Sequence, residues 1–308
     1  MKAIMYHYVQ EFDKKHPFFR FLDIKQFRKQ LDFFGEKYGF LKKEEWDQFI
    51  NIGKIKNLDN KVILTFDDGL SCHFDYVFPE LEKRGLWGIF YVSTKPYLNK
   101  KILDVHRIHL ICGAFDGERI YQNLCEIITD KMIQEEKREE FKDKTYLRQK
   151  NNEYISKVKK ILNYFIHYEF REQTIDDLAK KLGYKFNHDN FYISTENLKK
   201  MHDSGQVIGS HTINHKVMSK LSAEEQNLEI KDSFNYLDNL GCIAEKTYCH
   251  PYGGFHSFNK DTLNILKSEN VAYSFNVEQR DINLNDFYFS KQHLPRFDCN
   301  QFAFGKAS

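Results

Sequence analysis

The chain has 308 residues, with 46 basic and 44 acidic side chains and a net charge of +2. So even a balance offers no basic field to hold a nucleic acid or an anionic membrane surface, and no stretch approaches the ~20 consecutive apolar residues of a membrane span. With 41% hydrophobic and 16% aromatic residues, the chain can fill one large α/β barrel or two modest domains.

In chain order, a strand is expected at about 3–9. Helices follow at 24–38, where Phe27, Leu31 and Phe34 recur at helical spacing, and at 43–51. The run Lys61-Val62-Ile63-Leu64-Thr65-Phe66 reads as a strand covered on both faces, because it is short, β-branched and almost uninterrupted. A helix over about 73–84 stops at Gly85, and a strand follows at 87–93. Residues 99–191 break the pattern. They are highly charged from 131 to 160 and read as a helical insertion with solvated faces above a barrel mouth, serving as a lid, a specificity wall or an oligomer contact. The alternation resumes with a helix at 194–204, started by Ser194 or Thr195 and closed by Gly205, and a strand at 206–210. A helix at 222–240 opens with the Ser222/Glu225 capping box. A strand at 246–249, a helix at 257–269 and a strand at 271–276 complete it. Such repetition argues for a parallel sheet or barrel with its chemistry at the C-terminal strand ends.

Three features fall near such ends. Asp67 and Asp68 follow the first buried strand. Adjacent acids there repel each other and resist desolvation unless a positive group, most simply a metal ion, lies beside them; Asp-Gly is also a common turn pair. To share one site they need an irregular strand end, since neighbouring side chains on a strand point to opposite faces. His211 and His215 follow the 206–210 strand. Histidines four apart on a helical turn share a face and can reach one ion, with a carboxylate completing a zinc-type set; alone, they would equally be two surface residues. The loop Tyr248-Cys249-His250-Pro251-Tyr252-Gly253-Gly254 is held tight by Pro and Gly, so that its backbone N–H groups can turn toward an oxyanion, or it is an ordinary connection. The six cysteines, at 72, 112, 125, 242, 249 and 299, form no Cys-x-x-Cys pair and read as free thiols of a reducing compartment. The apolar run at Ala3–Met5 is too short for a signal-peptide core, so a cytoplasmic location is expected.

These elements, in this order, resemble the NodB-like polysaccharide deacetylases of carbohydrate esterase family 4. Thr65-Phe66-Asp67-Asp68 matches the first family motif, His211-Thr212-Ile213-Asn214-His215 the second, and Pro251-Tyr252 the end of the third. Pro79 to Gly85, Ile89 to Val92, Leu198 to His215 and Leu294-Pro295-Arg296 are similar as well, so the likeness covers most of 1–98 and 192–298. Two departures stand out. The third motif usually begins with arginine where this chain has Cys249, although a branch with x-x-Pro-Tyr-Gly and a late Leu-Pro-Arg shares that feature. The late strand ending in a general-acid histidine is missing near the C-terminus. Ala3-Ile4-Met5-Tyr6-His7 looks like it, moved to the N-terminus as in circularly permuted relatives.

The resemblance implies a single NodB-like domain over 1–308 with a helical insertion at about 99–191, built as an α/β distorted (β/α) barrel of fewer than eight regular units. It implies a divalent metal, most simply Zn²⁺, on Asp68, His211 and His215, with Asp67 as general base and His7 as general acid. The Tyr252 backbone N–H is expected at the oxyanion, and Pro251, Tyr252 and Gly253 at the substrate. Arg296 is expected to replace the missing arginine and orient Asp67. The implied reaction removes an N-acetyl or other small acyl group from an amino sugar, in a nucleotide- or lipid-linked precursor of surface-glycan biosynthesis. No nucleic acid and no membrane insertion are expected. Two alternatives remain open: an amidohydrolase acting on a non-sugar C–N bond, and an inactive carbohydrate-binding relative, which the missing arginine favours.

Overall fold

The unbroken apolar run Val62–Phe66 buries all five of its side chains. In the computed structural model of the protein, which describes residues 1–53, 60–146 and 152–307, it is one strand of a seven-stranded parallel sheet. In chain order the strands are β1 (Lys2–Tyr6), β2 (Val62–Phe66), β3 (Ile89–Val92), β4 (Val207–Ser210), β5 (Thr247–Cys249), β6 (Tyr273–Phe275) and β7 (Phe297–Asp298). They lie in the order β6-β5-β4-β3-β2-β1-β7 as a curled half-barrel. The α/β distorted (β/α) barrel expected from the sequence is the architecture found.

The pleat explains why these strands read as continuous apolar runs. Ile4, Tyr6, Val62, Leu64, Phe66, Phe90 and Val92 point to a core shared with the helix Ile24–Lys37, which contributes Phe27, Leu31 and Phe34. Ala3, Ile63, Ile89, Tyr91, Cys249 and Phe275 point to a second core with Trp46 and Leu294. A sheet covered on both faces needs apolar residues at every position, not at alternate ones. β4 is packed tightly: a Cβ on Gly209 would lie 2.6 Å from the Tyr91 ring and 2.7 Å from the Thr247 methyl, so only glycine fits between β3 and β5.

The crossover helices begin and end where their caps place them. Ser222 and Glu225 form the expected capping box on the helix Ala223–Asn239. Ser194 caps Thr195–Asp203, and Gly85 ends Phe78–Arg84 in the left-handed conformation. Three expectations need correction. The expected strand at 3–9 ends at Tyr6; a separate pair, Val9–Gln10 with Leu22–Asp23, follows it. The helix expected from residue 73 starts as a wide π-turn over His73–Val77, because Phe78 N–H bonds the His73 carbonyl and Pro79 has no N–H to continue the regular ladder. The helix expected from 257 starts at Lys260, capped by Asn259.

A short segment joins the two sides of the curled sheet. Leu294 bridges Phe275 of β6, and three residues later Phe297 pairs with Ile4 of β1. The Leu-Pro-Arg sequence is therefore a closing stave.

The chain divides into two compact units. Met1–Glu11, Phe21–Asn99 and Asp189–Ser308 form the sheet unit; Phe12–Arg20 and Lys100–His188 form the other. The second unit contains the helices Asp104–Ala114, Gly117–Cys125, Glu135–Phe141, Glu153–Lys160 and Tyr168–Leu182. They surround a core that includes Ile108, Ile120, Leu124, Val158, Leu162, Ile175 and Leu178. Within the charged stretch expected at 131–160, residues 147–151 lie outside the described residues. Among the described residues no helix is long and apolar enough to cross a membrane.

Candidate functional site

The parallel register brings the strand ends of the sheet unit to one side. Tyr6 pairs with Phe66, Val92 with Ser210 and Ser210 with Tyr248. The residues just beyond are His7, Asp67, Asp68, His211 and Cys249. Alternation along β2 places Asp67 on the same face as Ile63 and Thr65. Asp68 then takes φ +83° and Gly69 φ +63°. This left-handed step is the irregular strand end that two adjacent carboxylates need to share a site.

Asp68, His211 and His215 are buried, and each offers a ligand atom within 4.8 Å of the others. Asp68 Oδ1 lies 3.5 Å from His211 Nε2 and 3.4 Å from His215 Nε2. The two imidazole centroids are 4.7 Å apart. The expectation of a helical turn at 211–215 is corrected: the segment is a loop. Thr212 and His215 both have positive φ, and His215 N–H bonds Thr212 Oγ1. The loop, not helical spacing, brings the rings together.

The hydrogen bonds assign the tautomer of His211. Its Nδ1 is 2.8 Å from the Cys249 carbonyl, and a carbonyl only accepts, so Nδ1 carries the proton. Burial pushes the His211 pKa down, although Asp67 and Asp68 oppose that. The neutral ring therefore turns the Nε2 lone pair toward a carboxylate oxygen. Two acceptors facing each other call for a cation between them. The spacing suits one: tetrahedral coordination at about 2.1 Å keeps donor atoms about 3.4 Å apart. Asp67, His211 and Cys249 form a second cluster of ligand-type atoms. It fits a cation poorly, because a guanidinium already occupies it.

That guanidinium is Arg296, fully buried on the closing stave. Its Nε donates to the Asn276 carbonyl, Nη1 to Thr65 Oγ1 and to Asp67 Oδ1 at 2.7 Å, and Nη2 to Asp67 Oδ2 at 2.8 Å and to Cys249 Sγ at 2.9 Å. These five contacts match the five N–H donors of the group. Burial alone would raise the Asp67 pKa; Arg296 outweighs it, and the carboxyl is held below its ordinary value. Burial pushes the Cys249 thiol well up despite Arg296. The neutral thiol thus accepts from Arg296 and donates to Asp67 Oδ2 at 3.5 Å.

His7 Nε2 is 4.0 Å from Asp67 Oδ2. The His7 carbonyl accepts from His73 Nε2 at 2.6 Å. Tyr252 holds a left-handed conformation, φ +63°, with its ring centroid 4.9 Å from that of His215. Gly253 follows at φ +70°, packed so tightly on Val277 that a side chain would collide. Pro251 is buried beside them.

Sequence reasoning did not assign the contacts of four residues: Glu229 with the Ile213 N–H, Thr65 and the Asn276 carbonyl with Arg296, and His73 with the His7 carbonyl. The first left a trace. Gln226, Glu229 and Ser233 are polar residues on the stripe of the Ala223–Asn239 helix that also carries Ile230, Phe234 and Leu237, and polar residues on a core-facing stripe need partners.

Two other buried histidines give a pH prediction. Burial pushes His73 down to about 4 and His250 down to about 3, against 6.5 for the free side chain. Each donates Nε2–H to a backbone carbonyl, of His7 and of Gln292 respectively. As pH falls below 6.5 the unfolded chain takes up protons that the fold refuses, so stability is complete above that pH and declines through the window down to about 4 for His73 and about 3 for His250. Unfolding free energies from urea titrations are expected to fall between pH 7 and about pH 4.5, by on the order of a few kcal/mol in all; a flat profile would contradict the neutral burial of these rings.

Residues 54–274 match the family model described as Polysaccharide deacetylase. The chain is 29% identical over 104 residues to YxkH of Bacillus subtilis (strain 168), whose name assigns it to the polysaccharide deacetylases; the match covers 34% of this chain and 34% of that protein, about a third of the relative's length. Among solved structures, the deacetylase PplD of Streptococcus pyogenes in complex with acetate superimposes with a TM-score of 0.59 at 16% identity, over 97% of this chain and 91% of that one. A polysaccharide deacetylase from Bacillus cereus gives a TM-score of 0.54 at 14% identity, over 96% of this chain and 64% of that one. IcaB from Ammonifex degensii gives 0.50 at 18% identity, over 89% and 82%. At these identities the likeness shows a shared fold.

Proposed function

The chain belongs to the polysaccharide deacetylase family, and on that premise we propose that it is a metal-dependent hydrolase that removes an N-acetyl, or another small acyl, group from an amino sugar. One observation carries this reading. A carboxylate kept ionised by Arg296, Asp67, lies next in sequence to the Asp68–His211–His215 set of facing acceptors. A pure binder has no need of such a base. The arginine contact with Asp67 also weakens the case for an inactive relative, which rested on Cys249 at the usual arginine position.

Asp68, His211 and His215 would hold the divalent ion, proposed to be Zn²⁺. When bound, it would polarise the acyl carbonyl and make the attacking water more acidic. Asp67 takes the proton of that water as its oxygen attacks the acyl carbon, and Arg296 keeps the carboxylate oriented for the transfer. The backbone N–H of Tyr252 is the proposed donor to the developing oxyanion, with Pro251 and Gly253 shaping the loop around the acyl group. The C–N bond then breaks. An amine leaves badly as an anion, so protonated His7, close to Asp67, supplies the proton that makes it neutral. The products are a free amino sugar and a carboxylate.

We assign the whole chain to one deacetylase domain carrying the helical unit as an insertion. The enzyme is proposed to be cytoplasmic, with a nucleotide- or lipid-linked precursor of a surface glycan as substrate. Acetate release from nucleotide-linked N-acetyl sugars tests this directly. Another amine product without acetate would favour the amidohydrolase reading, and binding without any product the carbohydrate binder. His211→Ala is expected to lose zinc, and unchanged zinc content by elemental analysis would refute the ligand assignment.

A further inference from the structure

The loop from His211 to His215 contains two left-handed residues that are not glycine, Thr212 at φ +67° and His215 at φ +52°. Such a backbone costs about 1 kcal/mol or more per residue and persists only where its surroundings hold it. An account of the five backbone N–H groups identifies what holds it. His211 N–H goes to the Val92 carbonyl, Thr212 N–H to Ser210 Oγ and His215 N–H to Thr212 Oγ1. The two at the apex, Ile213 and Asn214, both go to Glu229 Oε2, at 3.0 and 2.8 Å. Glu229 Oε1 takes a third bond, 2.6 Å from Asn214 Nδ2.

Glu229 is only 4% exposed. It projects from the helix Ala223–Asn239, and one turn further on Ser233 reaches Ser210, the last residue of β4 and the acceptor of the Thr212 N–H. Ser233 Oγ donates to the Ile230 carbonyl, so Ser210 must donate to Ser233 and accept from Thr212. On the opposite side the carbonyls of His211, Thr212 and Ile213 accept from Ser93 Oγ, Thr94 N–H and Lys95 N–H. The loop is thus clamped between residues 93–95 and one buried carboxylate, with a proposed ligand at each end.

We propose that Glu229 is a positioning residue that sets the spacing of His211 and His215, and through it the affinity of the site for a divalent cation. This rests on the metal reading given above. A carboxylate that accepts both apex amides fixes the two peptide planes between the imidazoles, so little ordering is left for the cation to impose.

The test is zinc affinity, measured on the full-length protein by competition with a chelator. Glu229→Ala is expected to bind zinc ~10–100-fold more weakly than wild type, the usual effect of losing an outer partner of a metal ligand. Glu229→Gln should stay within about threefold of wild type, because its amide oxygen can still accept both apex N–H groups while the Asn214 amide turns over to meet its NH₂. Wild-type affinity in Glu229→Ala would overturn the proposal. So would a Gln variant as weak as the Ala variant, since charge and not position would then be at work. If Glu229→Ala does not fold, Asn214→Ala, which removes one of the three bonds, is expected to lose about three- to tenfold, and no loss would count against the clamp. Failure of the wild type to bind zinc would remove the metal reading itself, a result distinct from any of these.

Discussion

Asp67→Asn is expected to abolish turnover, by ~10²–10⁴-fold or more, the range that a positioned general base contributes, while the zinc content of the folded protein is unchanged. The variant is nearly isosteric, so the loss reports chemistry. The amide cannot take a proton from water, and its NH₂ would face one Nη of Arg296, replacing an attraction with a clash of donors. Asp68, His211 and His215 are expected to keep their geometry, because Asp68 meets both imidazoles directly. A stability loss should accompany the change, since Arg296 is then a buried cation without its counter-ion. Turnover must therefore be normalised to folded protein. Wild-type turnover per folded molecule would falsify the base assignment.

Arg296→Met is expected to be the more damaging substitution. The guanidinium makes contacts with Asp67, Thr65, Asn276 and Cys249 at once and stacks near the Tyr91 and Phe275 rings. Breaking a buried ion pair by removing one partner costs about 3–5 kcal/mol, equivalent to a fall in Tm of roughly 6–15 °C. Methionine leaves Asp67 in a site where burial works against its charge and the Arg296 guanidinium, first among the groups that oppose it, is gone, so activity should be lost with stability. Arg296→Lys should fall between, because an ammonium supplies charge without the planar fork that reaches both carboxylate oxygens. Scanning calorimetry checks this: a Met variant that melts within about 2 °C of wild type would mean the pair adds little, as can happen when desolvation cancels attraction.

How much of this was legible in the sequence depends on the range of each interaction. The strands around Val62 and Ile89 and the Ser222/Glu225 and Ser194 caps are local signals, and each element formed where its own residues placed it. An irregular strand end at Asp67–Asp68 could be deduced, because two adjacent carboxylates cannot otherwise share a face; that it is a left-handed step at Asp68 could not. The conformation of the His211–His215 loop could not: a spacing of four suits a helix, and the bent form is held by groups distant in the chain, among them Glu229, fourteen residues beyond His215, and residues 93–95. Likewise, nothing near Arg296 in the chain indicates that its side chain spans from the closing stave to Asp67. Cys249 looked like a defect in the third motif. In the fold it is the small neutral residue that leaves room for a guanidinium arriving from elsewhere.

The closing stave has a consequence for biosynthesis. A ribosome that has delivered the chain as far as Leu294 has already made His7, both aspartates, both loop histidines and the Tyr252 turn, but not the cation that makes burial of Asp67 tolerable. The nascent protein by then carries strands β1 to β6, yet the proposed base lacks its counter-charge until Arg296 emerges. A premature stop before Arg296 should therefore leave a chain with every proposed zinc ligand and no working catalyst.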